Sequence, residues 1–278
     1  MKIAHLILAH KNPGQVQRLI RALDHPAFEF FIHVDKKSDE KEFAPLVNDR
    51  VHMIRNRTKI FWAGYGTIQA TLNGFAEIIP LQFDYINVIS GQDFPLKKAG
   101  DIYNHISQKK GTEFITCESI EDEWKEAAHR VKKYHFINWR IPGKFRLQKL
   151  FNSFMPERKY PLDHKIVGRA NWFTITNNAA QYIMGFLKKH PEIVRFFKYS
   201  WGADEFIFAT ILYNSSFKEK IEDNLIYVDW TGQTHGHPRV LRAEDFDRMK
   251  ASGKLFARKL DENVDSQILD MLERSIEK

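Results

Sequence analysis

The stretch from Tyr85 to Ile89 is nearly all apolar and runs without a break into Ser90-Gly91-Gln92-Asp93-Phe94-Pro95. A strand so apolar needs cover on both faces, as in a parallel sheet packed between helices. The small-residue turn at its end marks the edge where α/β sheets hold ligands. The surrounding sequence agrees, because up to about residue 120 short apolar runs alternate with amphipathic stretches. The spacing predicts strands over Ile3 to Ala9, Phe28 to Val34, Val51 to Arg55 and Thr112 to Thr116. A helix opens at Asn12-Pro13 by the cap-then-proline rule, with Val16, Leu19, Ile20 and Leu23 on one face, and another covers Thr67 to Ile79.

From Glu118 to about Lys165 periodicity is poor and charge is high, so a long, partly irregular excursion over the active face is expected. Regularity returns with a strand over Trp172 to Thr176. Helices follow near Asn178 to Lys189, Pro191 to Lys198 and Asp204 to Tyr213, then a strand over Leu225 to Trp230 and a closing helix from Ser266 to Lys278. There is no repeat, low-complexity tract or linker, and hydrophobic residues make up 43% of 278. One domain with a mostly parallel central sheet flanked by helices is the expectation.

No window reads as a membrane span, and the opening KIAHLILAH carries two histidines and no cleavage site, so neither leader nor anchor is expected. The single cysteine, Cys117, rules out an internal disulfide and fits a reducing cytoplasm. A net charge of +7 and a pI near 9.3 point to an anionic partner without choosing it. The local basic excess from His129 to Lys165 interleaves aromatics. That pattern suits a solvated face, a sugar- or membrane-facing surface, or a platform stacking single-stranded nucleic acid.

Walker, GxGxxG, GxSxG, HExxH and CxxC motifs are all absent. The one Asp-x-Asp, Asp245-Phe246-Asp247, lies in a helix-like AEDFDRM stretch and reads as an acidic helix start rather than a metal site. If a diphosphate is to leave and no metal neutralises it, cationic side chains held close by must do so. Adjacent Arg258 and Lys259 in FARKLD supply two if the backbone turns there; otherwise they are a solvated pair. A general base is also needed if an acceptor hydroxyl is to attack. Asp204-Glu205 opens a helix apolar on nearly every face, where desolvation raises a carboxyl pKa; Asp204 is assigned the helix cap and Glu205 the base. His235 and His237 of THGHP lack a partner carboxylate and read as loop residues. Trp62, Tyr134, Trp172 and Trp230 are candidate sugar platforms or core aromatics.

Six spaced segments together resemble the core-2/I-branching β-1,6-N-acetylglucosaminyltransferase family, which includes the peptide O-xylosyltransferases. They are HVDKKS (His33 to Ser38), FWAGYGTIQATLN (Phe61 to Asn73), INVISGQDFPLK (Ile86 to Lys97), GRANWFTIT (Gly168 to Thr176), ADEFIFATIL (Ala203 to Leu212) and SGKLFARKLD (Ser252 to Asp261). The resemblance implies a GT-A-type nucleotide-diphospho-sugar transferase fold, an inverting reaction, a UDP-sugar donor, N-acetylglucosamine or xylose as the sugar, and no essential metal or other cofactor. It matches the base to Glu205, the diphosphate contacts to Arg258 and Lys259, and the acceptor contacts to Glu118 and Arg130. Trp172, Asp204 and Trp230 complete the expected acceptor side.

The uridine is expected over the first strands, with His33, Val34, Asp35, Ser90, Gly91 and Asp93 as nucleotide contacts. That divides the domain into a nucleotide-binding part near 1–115 and an acceptor-binding part near 116–278. Animal relatives carry an anchor, a stem and disulfides. Their absence from this sequence suggests a bacterial-type enzyme acting on a glycan or lipid-linked glycan, cytoplasmic and peripheral at the inner membrane face, with no nucleic-acid partner.

Overall fold

A mixed sheet of seven strands forms the middle of the computed structural model, which describes residues 1–139, 141–233 and 236–277. The first half of the chain gives β1 (Ile3–Ala9), α1 (Pro13–Ala22), β2 (Phe28–Val34), β3 (Val51–Met53), α2 (Gly66–Ile78), β4 (Tyr85–Ser90), β5 (Asp93–Pro95), α3 (Ala99–Gln108) and β6 (Glu113–Phe114). Then come β7 (Glu118–Ser119), α4 (Ala128–Lys132), α5 (Lys144–Phe154), β8 (Val167–Gly168), β9 (Phe173–Thr176), α6 (Asn177–Lys189), α7 (Pro191–Lys198) and α8 (Ile207–Tyr213). The chain closes with β10 (Ile221–Glu222), β11 (Ile226–Val228), α9 (Phe246–Ala251), β12 (Phe256–Arg258) and α10 (Gln267–Glu277).

The sheet order is β10-β6-β9-β4-β1-β2-β3. β1 pairs in parallel with β2 and β4, β2 with β3, and β6 with β10, while β9 runs antiparallel between β4 and β6. This is the α/β architecture the sequence implied, a mostly parallel sheet flanked by helices. The alternation of β1 explains its layers. Ile3 and Ile7 join Val16 and Leu19 of α1 and Leu269 and Leu272 of α10 in one core; Ala4, Leu6 and Leu8 join Ile68 and Phe75 of α2 and the apolar residues of α6 and α8 in the other. Each large side chain fully buried there stabilises the fold by about 1.5–3 kcal/mol. Because β1, β2 and β4 are parallel, their carboxyl ends share one edge. A second sheet, β11-β12-β5, stands there, with Arg258 of β12 in register with Asp93 of β5.

The Glu118–Lys165 excursion is partly irregular as expected, with two helices, α4 and α5, set in it. Several expectations need correction. The helix expected from Asp204 is two pieces, a 3-10 turn at Ala203–Glu205 and then α8, with Phe206 between them. Phe206 is buried and stacks on Trp124, and that anchor fixes the break. Helix α1 begins at Pro13 as the cap rule predicts, yet Asn12 makes no side-chain cap; it sits at φ 52° and donates its amide to Asp261. Asp245 is buried and takes Arg239, Arg248 and the Arg242 N–H, whereas Asp247 is exposed. No helix of the described residues is long and apolar enough to cross a membrane.

Candidate active site

A cavity of about 650 Å³ opens at the carboxyl edge of the parallel strands. Its floor is Leu8, Ala9 and His10 from the end of β1, Asp35 from the end of β2, and Ser90 and Gln92 from the end of β4. Arg258 and Lys259 enter from the carboxyl end of the chain, and Asp204 and Glu205 from the turn before α8. Residues more than fifty positions apart thus face one space.

Arg258 is held by its neighbours. Its Nη1 donates to Asp93 Oδ1 at 3.1 Å and to Ser90 Oγ at 3.3 Å, and its guanidinium lies 4.6 Å from the centroid of the Trp172 ring. Burial lowers its pKa, against the pull of Asp93, Asp204 and Glu205, and burial raises that of Asp93. Lys259 is different. Among the described residues its ammonium has no hydrogen-bond or ion-pair partner, and its pKa is lowered by burial and then by the charges of Arg258 and Lys11. A half-desolvated ammonium beside two more cations is a site that favours an anion. The following residues are clamped: Gln15 Nε2 donates to Gly91 O and Leu260 O, Gln15 Oε1 accepts the Glu262 N–H, and Asp261 pairs with Lys11.

The carboxylate pair is equally constrained. Glu205 Oε2 lies 2.9 Å from Arg130 Nη1, and that guanidinium is packed among Trp124, Trp201 and Phe206. Two glycines permit the approach. At Gly202, with φ 60°, a Cβ would meet Arg130 Nη2 at 2.1 Å; at Gly168 one would meet the Glu205 carbonyl at 2.1 Å. Asp204 makes no cap bond, contrary to expectation. Burial first, then the adjacent Glu205 charge, push its carboxyl up to about 7.

The expected site residues divide by position. Asp35, Ser90, Glu118, Trp172, Asp204, Glu205, Trp230, Arg258 and Lys259 line the cavity. His33, Val34, Gly91, Asp93 and Arg130 lie behind its wall. His33 is fully buried and accepts the Thr58 N–H; Val34 is core; the Gly91 N–H bonds Leu8 O. Asp93 spends its carboxylate on Ser90 and Arg258, and Arg130 spends its charge on Glu205. These five shape the site rather than face it. Trp62 lines the cavity edge-on to Trp201, while Tyr134 packs on Phe151 and Tyr199 away from it. His237 lines the cavity, and His235 lies outside the described residues.

Sequence reasoning missed several lining residues. Arg169 donates to Glu118 Oε2 at 2.8 Å, and Lys37 lies 3.3 Å from Asp35 Oδ2 and 4.6 Å from the Phe61 ring centroid. Both stand inside the quoted segments GRANWFTIT and HVDKKS, so the signal was there. Among the described residues no three His, Cys, Asp or Glu side chains come together as a metal-holding group.

Fold and cleft together are those of an α/β enzyme whose ligand site lies at the strand ends. The chain belongs to the Core-2/I-Branching enzyme family, whose model matches residues 3–250. It is 23% identical over 309 residues to human xylosyltransferase 2, covering 98% of this chain and 33% of that protein. It is 24% identical over 294 residues to the Arabidopsis thaliana beta-glucuronosyltransferase GlcAT14B, covering 99% of this chain and 66% of that protein. The chain thus spans about a third of the length of the xylosyltransferases it matches. Among solved structures, the apo form of mouse xyloside xylosyltransferase 1 aligns over 92% of this chain and 96% of that one, at 11% identity and a TM-score of 0.41.

Proposed function

We propose that this chain transfers a glycosyl group from a UDP-sugar to a hydroxyl of a glycan or lipid-linked glycan, with inversion and without an essential metal. The observation that carries the reading is one cavity faced by a clamped Arg258, a Lys259 without an ion-pair partner among the described residues, and the Asp204-Glu205 carboxylates. The acceptor oxygen attacks the anomeric carbon as the bond to the β-phosphate oxygen breaks, and the bonding pair leaves with UDP. Arg258 and Lys259 stabilise the charge that grows on that oxygen, more in the transition state than in the bound donor. Glu205, directed by Arg130, takes the proton of the attacking hydroxyl. Asp35 and Ser90 lie on the nucleotide side, and Glu118, Trp172 and Trp230 on the acceptor side.

N-acetylglucosamine and xylose are the first donors to test, and the names of the relatives add glucuronic acid. A second base assignment has geometry behind it: Asp204 lines the same cavity beside Glu205, and burial pushing its carboxyl up to about 7 suits proton transfer at neutral pH. Release of UDP from a panel of UDP-sugars, with and without glycan acceptors, tests the reaction. Glu205→Gln should slow it by about a hundredfold or more with UDP affinity retained. Full turnover in Glu205→Gln with loss in Asp204→Asn would move the base to Asp204, and no UDP release from any donor would sink the reading.

A further inference from the structure

Helix α5 is built inside out. None of its 11 residues is buried, and the side it turns to the protein is polar. Lys144, Gln148 and Asn152, spaced four apart, make the attachment: Lys144 Nζ donates to the carbonyls of Ile137 and Trp139, Gln148 Oε1 accepts the Phe136 N–H, and Asn152 bonds both the N–H and the C=O of Tyr134. Phe151 also reaches back, against Tyr134 and Phe136. Leu147, Leu150, Phe151 and Phe154 fall at i, i+3, i+4 and i+7, so they form one continuous stripe. That stripe is open to solvent, with Leu150 57% and Phe154 80% exposed. A contiguous apolar face of this kind marks an interaction surface.

Charge selects the partner. Arg146 and Lys149 on the helix, and Lys132, Lys133 and Lys159 beside it, are all exposed. Between Ala128 and Leu162 the sequence has a single acidic residue, Glu157, which lies 3.9 Å from Lys132. A second copy packed by two-fold symmetry would set this basic rim against its own image. Stacking of nucleic-acid bases would call for aromatic platforms, whereas half of the stripe is leucine. Aliphatic and aromatic side chains ringed by lysine and arginine suit the boundary between acyl chains and anionic headgroups.

We propose that α5 docks in the plane of an anionic lipid bilayer, with Leu147, Leu150, Phe151 and Phe154 entering the acyl boundary and the basic rim meeting the headgroup phosphates. The docked helix would lie close to the cleft. Asn138, in the segment α5 holds, accepts the Tyr65 N–H through its side chain, and the same loop carries Trp62 and Ala63 into the cavity wall. Presentation of a lipid-carried acceptor at that wall rests on the transfer reading; docking does not.

The test is co-sedimentation of the full chain with vesicles of phosphatidylcholine alone or mixed with phosphatidylglycerol. The parent should partition about tenfold more strongly into the anionic vesicles, and salt should weaken the binding. The pair Leu150→Ser with Phe154→Ser and the pair Arg146→Glu with Lys149→Glu should each lose about tenfold or more. These exposed positions lie outside the cavity, so UDP affinity should be unchanged in both pairs, which separates failure of docking from failure of the transfer reading. Equal partitioning into both vesicle types, or parental binding by either pair, would overturn the proposal. So would sedimentation equilibrium showing a dimer that the serine pair converts to monomer, because a second copy would then cover the face.

Discussion

Replacing Asp93 by asparagine isolates the contact that holds Arg258. Asp93 is fully buried, and its carboxylate receives three donors: the Ser90 N–H at 2.8 Å, the Ser90 hydroxyl at 2.9 Å and Arg258 Nη1 at 3.1 Å. An amide of the same shape must turn its NH2 toward one of them, so a donor faces a donor while the guanidinium loses its counter-charge. Removing one partner of a buried ion pair costs about 3–5 kcal/mol. Two features place this case at the lower end. Arg258 keeps 13% of its side chain exposed, and Asp204 and Glu205 still attract its charge. Asp93→Asn should therefore lower the unfolding free energy by about 3 kcal/mol, seen as a lower urea midpoint at unchanged slope. The double variant with Arg258→Met should cost at least about 2 kcal/mol less than the sum of the single changes, because no unpaired charge remains. A loss under about 1 kcal/mol in Asp93→Asn, or strict additivity in the cycle, would refute the argument that this pair fixes Arg258.

Asp204 gives a pH prediction with a definite sign. Its ordinary pKa of 3.8 applies to the unfolded chain and about 7 to the folded one, so between these values the folded state holds a proton the unfolded state has released. Its contribution to stability is full below about pH 4 and is lost as pH rises through about 7. Asp204→Asn should abolish that slope and gain up to about 4 kcal/mol relative to its parent above pH 7, and parallel stability profiles would count against the shift. Gly202→Ala drives a methyl into Arg130 and should cost about 1–3 kcal/mol of stability. It should slow transfer more than UDP binding, and calorimetry with UDP beside a transfer assay separates the two. Chelation by EDTA should leave transfer unchanged, and a strict manganese requirement would contradict the metal-free assignment.

Much of the fold was legible because buried parallel strands leave little choice of composition. β1 and β2 fall where their apolar runs begin and end, and β4 where Tyr85 to Ile89 announces it. Short strands were read too long. At β6 only Glu113 and Phe114 pair, with β10 at two register positions and with β9 at one. Helix α5 escaped although Leu147, Leu150, Phe151 and Phe154 carry helical spacing, because that single short run sits inside a highly charged stretch without periodicity on either side. In the site, the residue types were readable and their division of labour was not. Nothing in the string says that Asp93 turns back onto Arg258 across two strands, or that Arg130 comes under Glu205; both follow from pairing and close packing at distant positions. The DE pair was likewise visible as chemistry, while the break at Phe206 that turns both carboxylates to the cleft depends on stacking with Trp124.

The account rests on side-chain cations, rather than a metal, stabilising the departing diphosphate, and among the described residues Lys259 has no hydrogen-bond or ion-pair partner. Calorimetric UDP titration of Lys259→Ala, paired with its single-turnover transfer rate, tests this most directly. Weaker UDP binding and a transition-state loss of about 2–4 kcal/mol are predicted. Binding and transfer at parental levels would contradict it.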